Sequence, residues 1–479
     1  MTKRGFLLAY VGLVGLPLLL LLGTLRIAMH SQPSPAAAAP ASFHTVSQTP
    51  QEKGAETVPR VVTIILQIAV IIVVVRVLGF AFKFIGQPQV IGEMAAGILL
   101  GPSFLGWLAP HVSAMVFPAP SLNYLNTISQ LGIVTYMFLV GLELDLNDLK
   151  GQGPAALLTS HASIVVPFVS GALLALFLYP RLSDNRVSLT AFALFMGAAM
   201  SITAFPVLAR ILTDRGMLGT KLGTLAIACA AVGDVTGWCI LAYITLLIRV
   251  ETGATPGWMT IAGSIAFALV MVFAVRPLLR RLLTLYEKRG RLGDSAIALV
   301  LLLALGSALI TDRIGIHLLF GAFLAGTIMP KDPAFSRHIL EKFQSLTVVL
   351  LLPLYFAYTG LRMNLQGVRG GRMWLYCGII IAVAIAGKLV GSMIASRAAG
   401  NSWRRAAALG VLLNTRGLME LVILNIGLDL GVISPPLFAM MVLMALVTTF
   451  ITTPLLERIY PLRLIREEAA GKVEGHAAA

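Results

Sequence analysis

Ser201-Ile202-Thr203-Ala204-Phe205-Pro206 lies inside the apolar segment 188–212, and the next apolar segment, 220–248, carries one carboxylate, Asp234, near its middle. A hydrophobic run of this length reads as a membrane-spanning helix, because about 20 apolar residues cross the hydrocarbon core. A carboxylate at that depth costs at least about 2.5–3.5 kcal/mol on insertion scales, so it faces protein or water rather than lipid. Pro206 interrupts the preceding segment near the same depth. Proline removes a backbone donor and frees a carbonyl, which inside a membrane is tolerated only beside a polar cavity or packed protein. A broken helix facing a buried acid is the pattern of an ion pathway.

The rest of the composition agrees. The chain is 58% hydrophobic and 12% charged, with a mean hydropathy of +0.89. A soluble domain carries about 25% charged residues, so the reading is an all-α polytopic membrane protein. The net charge of +15 does not imply nucleic acid as a partner, because the basic residues gather in short connectors between apolar runs. That is the distribution expected of cytoplasmic loops. Cys229, Cys239 and Cys377 all lie in apolar runs. The first two would be about 15 Å apart along one helix, too far for a disulfide. They read as packing residues.

Four regions follow from composition. Residues 1–28 have a basic start (Lys3, Arg4), a long apolar run and then Arg26. They read as a signal anchor or a signal peptide, with Ala36–Ala39 as a weak cleavage candidate, and the length of the run favours the anchor. Residues 29–57, rich in Pro, Ala, Ser and Gln, read as an external solvated linker. Residues 58–460 form the membrane domain, and 461–479 a short cytoplasmic tail.

About thirteen spans are expected in that domain, near 61–84, 88–108, 124–144, 154–178, 189–212, 220–248, 258–278, 294–310, 316–329, 345–361, 373–397, 404–427 and 435–457. Alternation places Arg210/Arg215/Lys221, the Arg276–Arg291 cluster, Lys331/Arg337/Lys342, Arg397/Arg404/Arg405 and Arg458 on one side. The positive-inside rule makes that side, and the C-terminus, cytoplasmic. Arg362, Arg369 and Arg372 fall on the other side and break the rule. The spans divide as six, one and six. The fifth of the first set holds Thr203-Ala204-Phe205-Pro206, and the fifth of the second holds Asn414-Thr415-Arg416-Gly417 at a similar depth. Interrupted segments at matching positions of two inverted halves point to a transporter binding site.

Asp234 is the first candidate for chemistry. As a structural residue it would be a buried acid satisfied by hydroxyls. As a functional one it holds either a proton or a monovalent cation, since partial desolvation lets a carboxylate exchange between its charged and neutral forms near neutrality. Hard oxygen ligands suit an alkali cation, and Ser201, Thr203 and carbonyls freed at the break can complete its shell. Lys388 is mid-span, too deep for snorkelling to serve well, and is expected to organise the site. Arg416 sits in the interrupted second segment, where holding the crossing together is as good a reading as transport. Glu420 lies one turn further and pairs with it. Broken helices aim negative C-terminal ends at the midplane, which Lys388 and Arg416 would offset. Glu93 and Glu143 sit near span ends and read as interfacial acids, or alternatively as a funnel for cations. His161, Glu251, Asp312 and His317 read as span-end residues.

The motifs resemble a known family. Ala199 to Leu212, around the broken segment, is similar to the broken-helix motif of monovalent cation:proton antiporters, in the branch of Kef-like proteins and plant cation/proton exchangers. Ile91-Gly92-Glu93-Met94, Gly141-Leu142-Glu143-Leu144, Gly233-Asp234-Val235-Thr236 and Asn414-Thr415-Arg416-Gly417 fit the same family, in its order, across roughly residues 60–460. The resemblance implies two inverted six-helix repeats, a homodimer in the lipid bilayer, and exchange of protons against Na+ or K+ by alternating access. It implies no cofactor and no enzymatic activity. A bacterial plasma membrane is the expected location. Two departures stand out. Kef-like members often carry a cytoplasmic nucleotide-binding domain, whereas about 20 residues follow the last span here, so that regulation is not expected. The family also usually places an acid or Asn before the essential aspartate, and this chain has Gly233. In the family an acid there commonly pairs with a lysine equivalent to Lys388. With one mid-span acid, electroneutral exchange is the favoured reading.

Rival readings fit less well. An intramembrane aspartyl protease needs two aspartates sharing a proton, and no second aspartate lies mid-span. A passive cation channel would want a repeated filter loop rather than paired breaks. A transport-dead relative is prompted by Gly233 alone.

Overall fold

A computed structural model describes residues 3–31, 60–143, 154–183, 187–217, 220–251, 257–289, 292–461 and 464. The expected linker beyond residue 31 and the expected tail beyond residue 464 lie outside the described residues. Among the described residues all regular structure is helical: α1 (3–31), α2 (Arg60–Phe84), α3 (Gln89–Leu100), α4 (Ala119–Glu143), α5 (Pro154–Leu182), α6 (Leu189–Ser201), α7 (Phe205–Asp214), α8 (Lys221–Glu251), α9 (257–289), α10 (Asp294–Ile314), α11 (Leu318–Thr327), α12 (333–362), α13 (Gly371–Ala398), α14 (Trp403–Leu413), α15 (Leu418–Asp429) and α16 (Pro435–Ile459).

Among the described residues twelve helical stretches, with α1 included, α3 continued to Leu108 and α6–α7 taken as one, are long and apolar enough to cross a membrane, and the bent pair α14–α15 makes up to thirteen. The expected ninth span, 316–329, is the shorter apolar helix α11. Its ten residues make about 15 Å of helix, half the hydrocarbon thickness. Local starts follow capping chemistry: Ser188 Oγ accepts from Ala191 N at 3.1 Å, and Asp332 Oδ1 from Phe335 N at 2.8 Å. Such bonds satisfy donors that the helix itself leaves free.

Packing gathers the helices into two bundles. α2, α3, α4, α10, α11 and α12 pack mainly on one another, as do α5, α6, α8, α13, α14 and α16, with α9 joining the two. The first bundle is drawn tight by glycine. A side chain at Gly97, Gly141, Gly326 or Gly360 would run into opposing backbone, α3 against α12 and α4 against α11. Without a hydrophobic force between helices in lipid, close backbone approach at small residues is what drives their association.

α1 docks on α5 of the second bundle. Its inward stripe is Val14, Leu21 and Leu25, all buried, with the partly buried Leu18 between them, while Leu7, Leu8, Leu19, Leu20 and Leu22 are exposed. The spacing is that of one helical face. Tyr10 adds a polar contact: its hydroxyl lies 3.1 Å from His161 Nδ1, and the rings meet edge to face at 5.7 Å. His161, expected only as a span-end residue, meets a neighbouring helix here. Tyr10→Phe should lower the melting temperature in detergent by an amount matching about 0.5–1.5 kcal/mol, the net worth of one hydrogen bond. Leu19→Ala, on the outward face, should melt as the unmodified protein does.

Candidate functional site

α6 stops at Ser201, Ile202 to Ala204 run extended, and α7 restarts at Phe205 with Pro206 in its first turn. α14 stops at Leu413, and α15 restarts at Leu418 after a bend of 45°. The two breaks cross. Ala204 N donates to Thr415 O at 3.0 Å, and Thr203 Oγ1 donates to Leu413 O at 2.9 Å. Gly417 is required here: a Cβ on it would meet Val207 Cγ2 at 2.7 Å.

A helix end leaves its last four carbonyls without intrahelical partners, and in an apolar interior each is costly. At the end of α6 all four are satisfied by side chains. Ala198 O accepts from Ser201 Oγ at 2.9 Å. Ala199 O and Met200 O accept from the Arg416 guanidinium at 2.9 and 2.6 Å. Ser201 O accepts from Lys388 Nζ, which also donates to Ser163 O at 2.9 Å. The end of α14 is closed likewise: Asn414 N serves Gly410 O and Val411 O, Thr415 serves Leu412 O, and Thr203 serves Leu413 O. Two cations thus sit at the negative end of α6, where the helix dipole favours them.

Arg416 and Glu420 are both fully buried and pair at 2.7 Å. Thr449 locks the stretch further, its Oγ1 accepting from Arg416 N at 2.9 Å and donating to Arg416 O at 2.7 Å. Of the two roles left open for Arg416, the geometry supports the structural one.

Asp234, on α8, is buried, with 4% of its surface exposed, and its Oδ1 has no hydrogen-bond partner among the described residues. One turn further along α8, Gly237 faces Ile202 so closely that a Cβ there would meet the Ile202 side chain at 2.7 Å. Asp234 therefore stands beside the first break. It interacts electrostatically with Lys388, which in turn feels Arg416 and Glu420. Ser201, Thr203, Lys388, Arg416, Glu420 and Asp234 are thus brought together. The Ser201 and Thr203 hydroxyls donate to main-chain carbonyls, yet a donating hydroxyl keeps lone pairs. Gly233 is buried, and a Cβ built on it meets nothing within 4 Å, so there is room beside the acid. Thr415, Pro206 and Gly417 build the breaks rather than present groups to a ligand.

Tyr136 on α4 lies within electrostatic range of Glu143, Asp234 and Glu93. Glu93 is buried and accepts from Gln89 Nε2 at 3.0 Å, whereas Glu143 is exposed. Ser163, Thr449 and Tyr136 were missed by sequence reasoning. A carbonyl that holds a lysine leaves no trace in residue type, and a mid-span hydroxyl is common.

Residues 66–459 match the family described as sodium/hydrogen exchanger, transmembrane. This chain belongs to that family. Its members are transporters rather than enzymes. Relatives include the Na(+)/H(+) antiporter NhaS4 of Synechocystis sp., 44% identical over 83% of this chain and 97% of the relative. Cation/H(+) antiporter 17 of Arabidopsis thaliana is 40% identical over 83% of this chain and 48% of its own length. The K(+)/H(+) antiporter 1 of Saccharomyces cerevisiae is 34% identical over 83% of this chain and 46% of its own. The chain thus spans about half the length of the plant and yeast relatives. The sodium proton antiporter MjNhaP1 of Methanocaldococcus jannaschii shares the fold, with a TM-score of 0.56 at 14% identity over 85% of this chain and 98% of that one.

The exchanger's crossing depends on Arg416. Arg416→Ala would strand three carbonyl or carboxylate partners in a dry site, and breaking a buried pair costs about 3–5 kcal/mol. The variant should melt far below the unmodified protein in detergent. Arg416→Lys should recover only part of the loss, because one ammonium cannot reproduce the forked guanidinium contacts.

Proposed function

We propose that this chain exchanges protons for a monovalent cation, Na+ or K+, across the membrane by alternating access, with Asp234 as the shared site. The observation that carries the reading is the buried Asp234 carboxylate, with one oxygen free of hydrogen bonds among the described residues, beside two crossed broken helices whose terminal carbonyls are taken up by Arg416, Lys388 and hydroxyl groups. The relatives' names support the same chemistry. A bare carboxylate is costly in a low dielectric. The forms that travel cheaply are the protonated acid and the carboxylate with its cation, and alternation between those two is exchange. Oxygen from Ser201 and Thr203 completes the cation's shell, and Lys388, Arg416 and Glu420 organise the site without carrying the ion. The bundle holding Asp234 moves against the first bundle. The C-terminus is cytoplasmic, the basic connectors face the cytoplasm, α1 stays attached as an anchor, and the protein works as a homodimer in a bacterial plasma membrane.

Asp234→Asn keeps size and hydrogen bonding but removes the titrating charge. In acid-loaded proteoliposomes, cation-driven recovery of a quenched pH dye should disappear in this variant, while its melting temperature stays close to the original. Residual cation-dependent proton flux would refute the shared site. Running each alkali chloride in turn assigns the ion.

Gly233 bears on charge movement. With glycine there, Lys388 is held by the Ser163 and Ser201 carbonyls, and one carboxylate handles one proton against one cation. Exchange should therefore ignore an imposed membrane potential. Rates that rise or fall with its sign would reject the electroneutral cycle. The space around a Cβ at Gly233 makes Gly233→Asp the variant of choice, and it should acquire dependence on the potential.

A further inference from the structure

Arg362 breaks the charge rule, standing at the end of α12 on the face opposite the basic connectors. Its side chain is not free. Nη1 donates to Asn425 Oδ1 at 2.9 Å and Nη2 to Asp429 Oδ1 at 2.6 Å. Asn425, 5% exposed, donates in turn to Tyr355 Oη at 3.2 Å, Thr359 Oγ1 at 2.9 Å and Leu421 O at 2.9 Å. Arg362, Tyr355 and Thr359 belong to α12, in the first bundle. Asn425 and Asp429 belong to α15, in the second. Elsewhere, the hydrogen bonds described above stay within one bundle: Arg416 to α6, Lys388 to α5 and α6, Thr203 to α14. A smaller crossing, Gln87 Nε2 to Phe450 O at 3.2 Å, lies nearer the opposite face.

α15 is also the half-helix that leaves the crossing. Its first turn carries Glu420, paired with Arg416, and its last residue is Asp429. Twelve residues make a rod of about 18 Å, with the ion site's scaffold at one end and Arg362 at the other. Any slide of the second bundle must drag Asn425 and Asp429 past α12, and the forked contacts cannot stretch with it. Packed interfaces of this kind switch between discrete arrangements rather than deform. The acids Glu93, at the start of α3, and Glu143, at the end of α4, lie toward the opposite face.

We infer that Arg362, Asn425 and Asp429 form a latch that closes the outer face of the exchanger and sets the balance between its two facing states. The inference rests on the alternating-access reading given above, and names positioning residues for it that lie far from the ion. It also explains why an arginine is kept on the face where the charge rule disfavours one: its charge is held by a carboxylate and an amide rather than left to orient the chain.

The test is distance measurement by pulsed electron spin resonance, with spin labels at Gln366 and Leu430 in a full-length protein whose three cysteines are serine. The latched protein should give one dominant distance. Arg362→Ala and Asp429→Ala should each add a longer one, raising its population about two- to fivefold, the effect of losing a partly exposed ion pair. The exchanged pair Arg362→Asp with Asp429→Arg should restore the original distribution. Unchanged distances in both single variants overturn the latch, and so does a reversed pair that stays open. The same distances measured in the Asp234→Asn background separate the two proposals. A latch that still responds there stands whatever that variant does to transport, and loss of exchange without any response leaves the ion site standing while the latch falls.

Discussion

Four carbonyls at the end of α6 set the terms for the rest of the structure. A helix that stops inside a membrane has no water to take up its free carbonyls, and a protein can only answer with donors of its own. Here the answer is two buried cations. Arg416 reaches across from the second break to Ala199 O and Met200 O, and Lys388 reaches from α13 to Ser201 O. Each cation then needs further partners. Glu420 serves Arg416, and the Ser163 carbonyl serves Lys388. The crossing, the α13–α5 contact and the position of Thr449 all follow from closing this one helix end.

That closure decides what is left for the ion. Arg416 and Lys388 are bonded to carbonyls and Glu420 is paired with Arg416 through Oε2, whereas Asp234 feels Lys388 only electrostatically and its Oδ1 has no hydrogen-bond partner among the described residues. The site is rigid where the backbone must be kept dry and open where the charge must change. A carboxylate fully satisfied by hydrogen bonds would hold its charge too firmly to accept a proton. One with an oxygen left unbonded is the kind of group that the proposed exchange of a proton for a cation requires.

Much of this was legible in the sequence. Hydropathy gave the spans, because each helix must satisfy its backbone internally and be apolar over about 20 residues. Pro206 and Asn414-Thr415-Arg416-Gly417 gave both breaks, because proline and glycine mark places where a helix cannot continue or a neighbour must come close. Asp234, Lys388 and Arg416 were visible as charges too deep for lipid. What stayed hidden was partnership. Nothing in the residue types says that Lys388 bonds to the carbonyl of Ser163, that Tyr10 meets His161, or that Arg362 finds Asp429 across the bundles. Those pairings are set by three-dimensional packing, between partners 225, 151 and 67 positions apart in the chain. α11 was read as a full span because its composition is apolar throughout; a helix buried among α4 and α10 has the same composition without the length.

The exception to the charge rule carries the last step. The rule is statistical and concerns which loops cross during insertion; it does not forbid an arginine whose charge is used after folding. Arg362 is 21% exposed in its side chain and Asp429 46%. A pair this exposed adds little to stability by itself, and screening by salt weakens it further. Its weight comes instead from where it lies, between bundles that otherwise touch mostly through apolar side chains such as the stacked Trp238 and Phe323. Apolar contacts slide with little directional preference, whereas a forked guanidinium bonded to an amide and a carboxylate fits one register only. A weak but directional contact on a smooth interface selects a position without fixing it permanently, which is the property a reversible transport cycle requires.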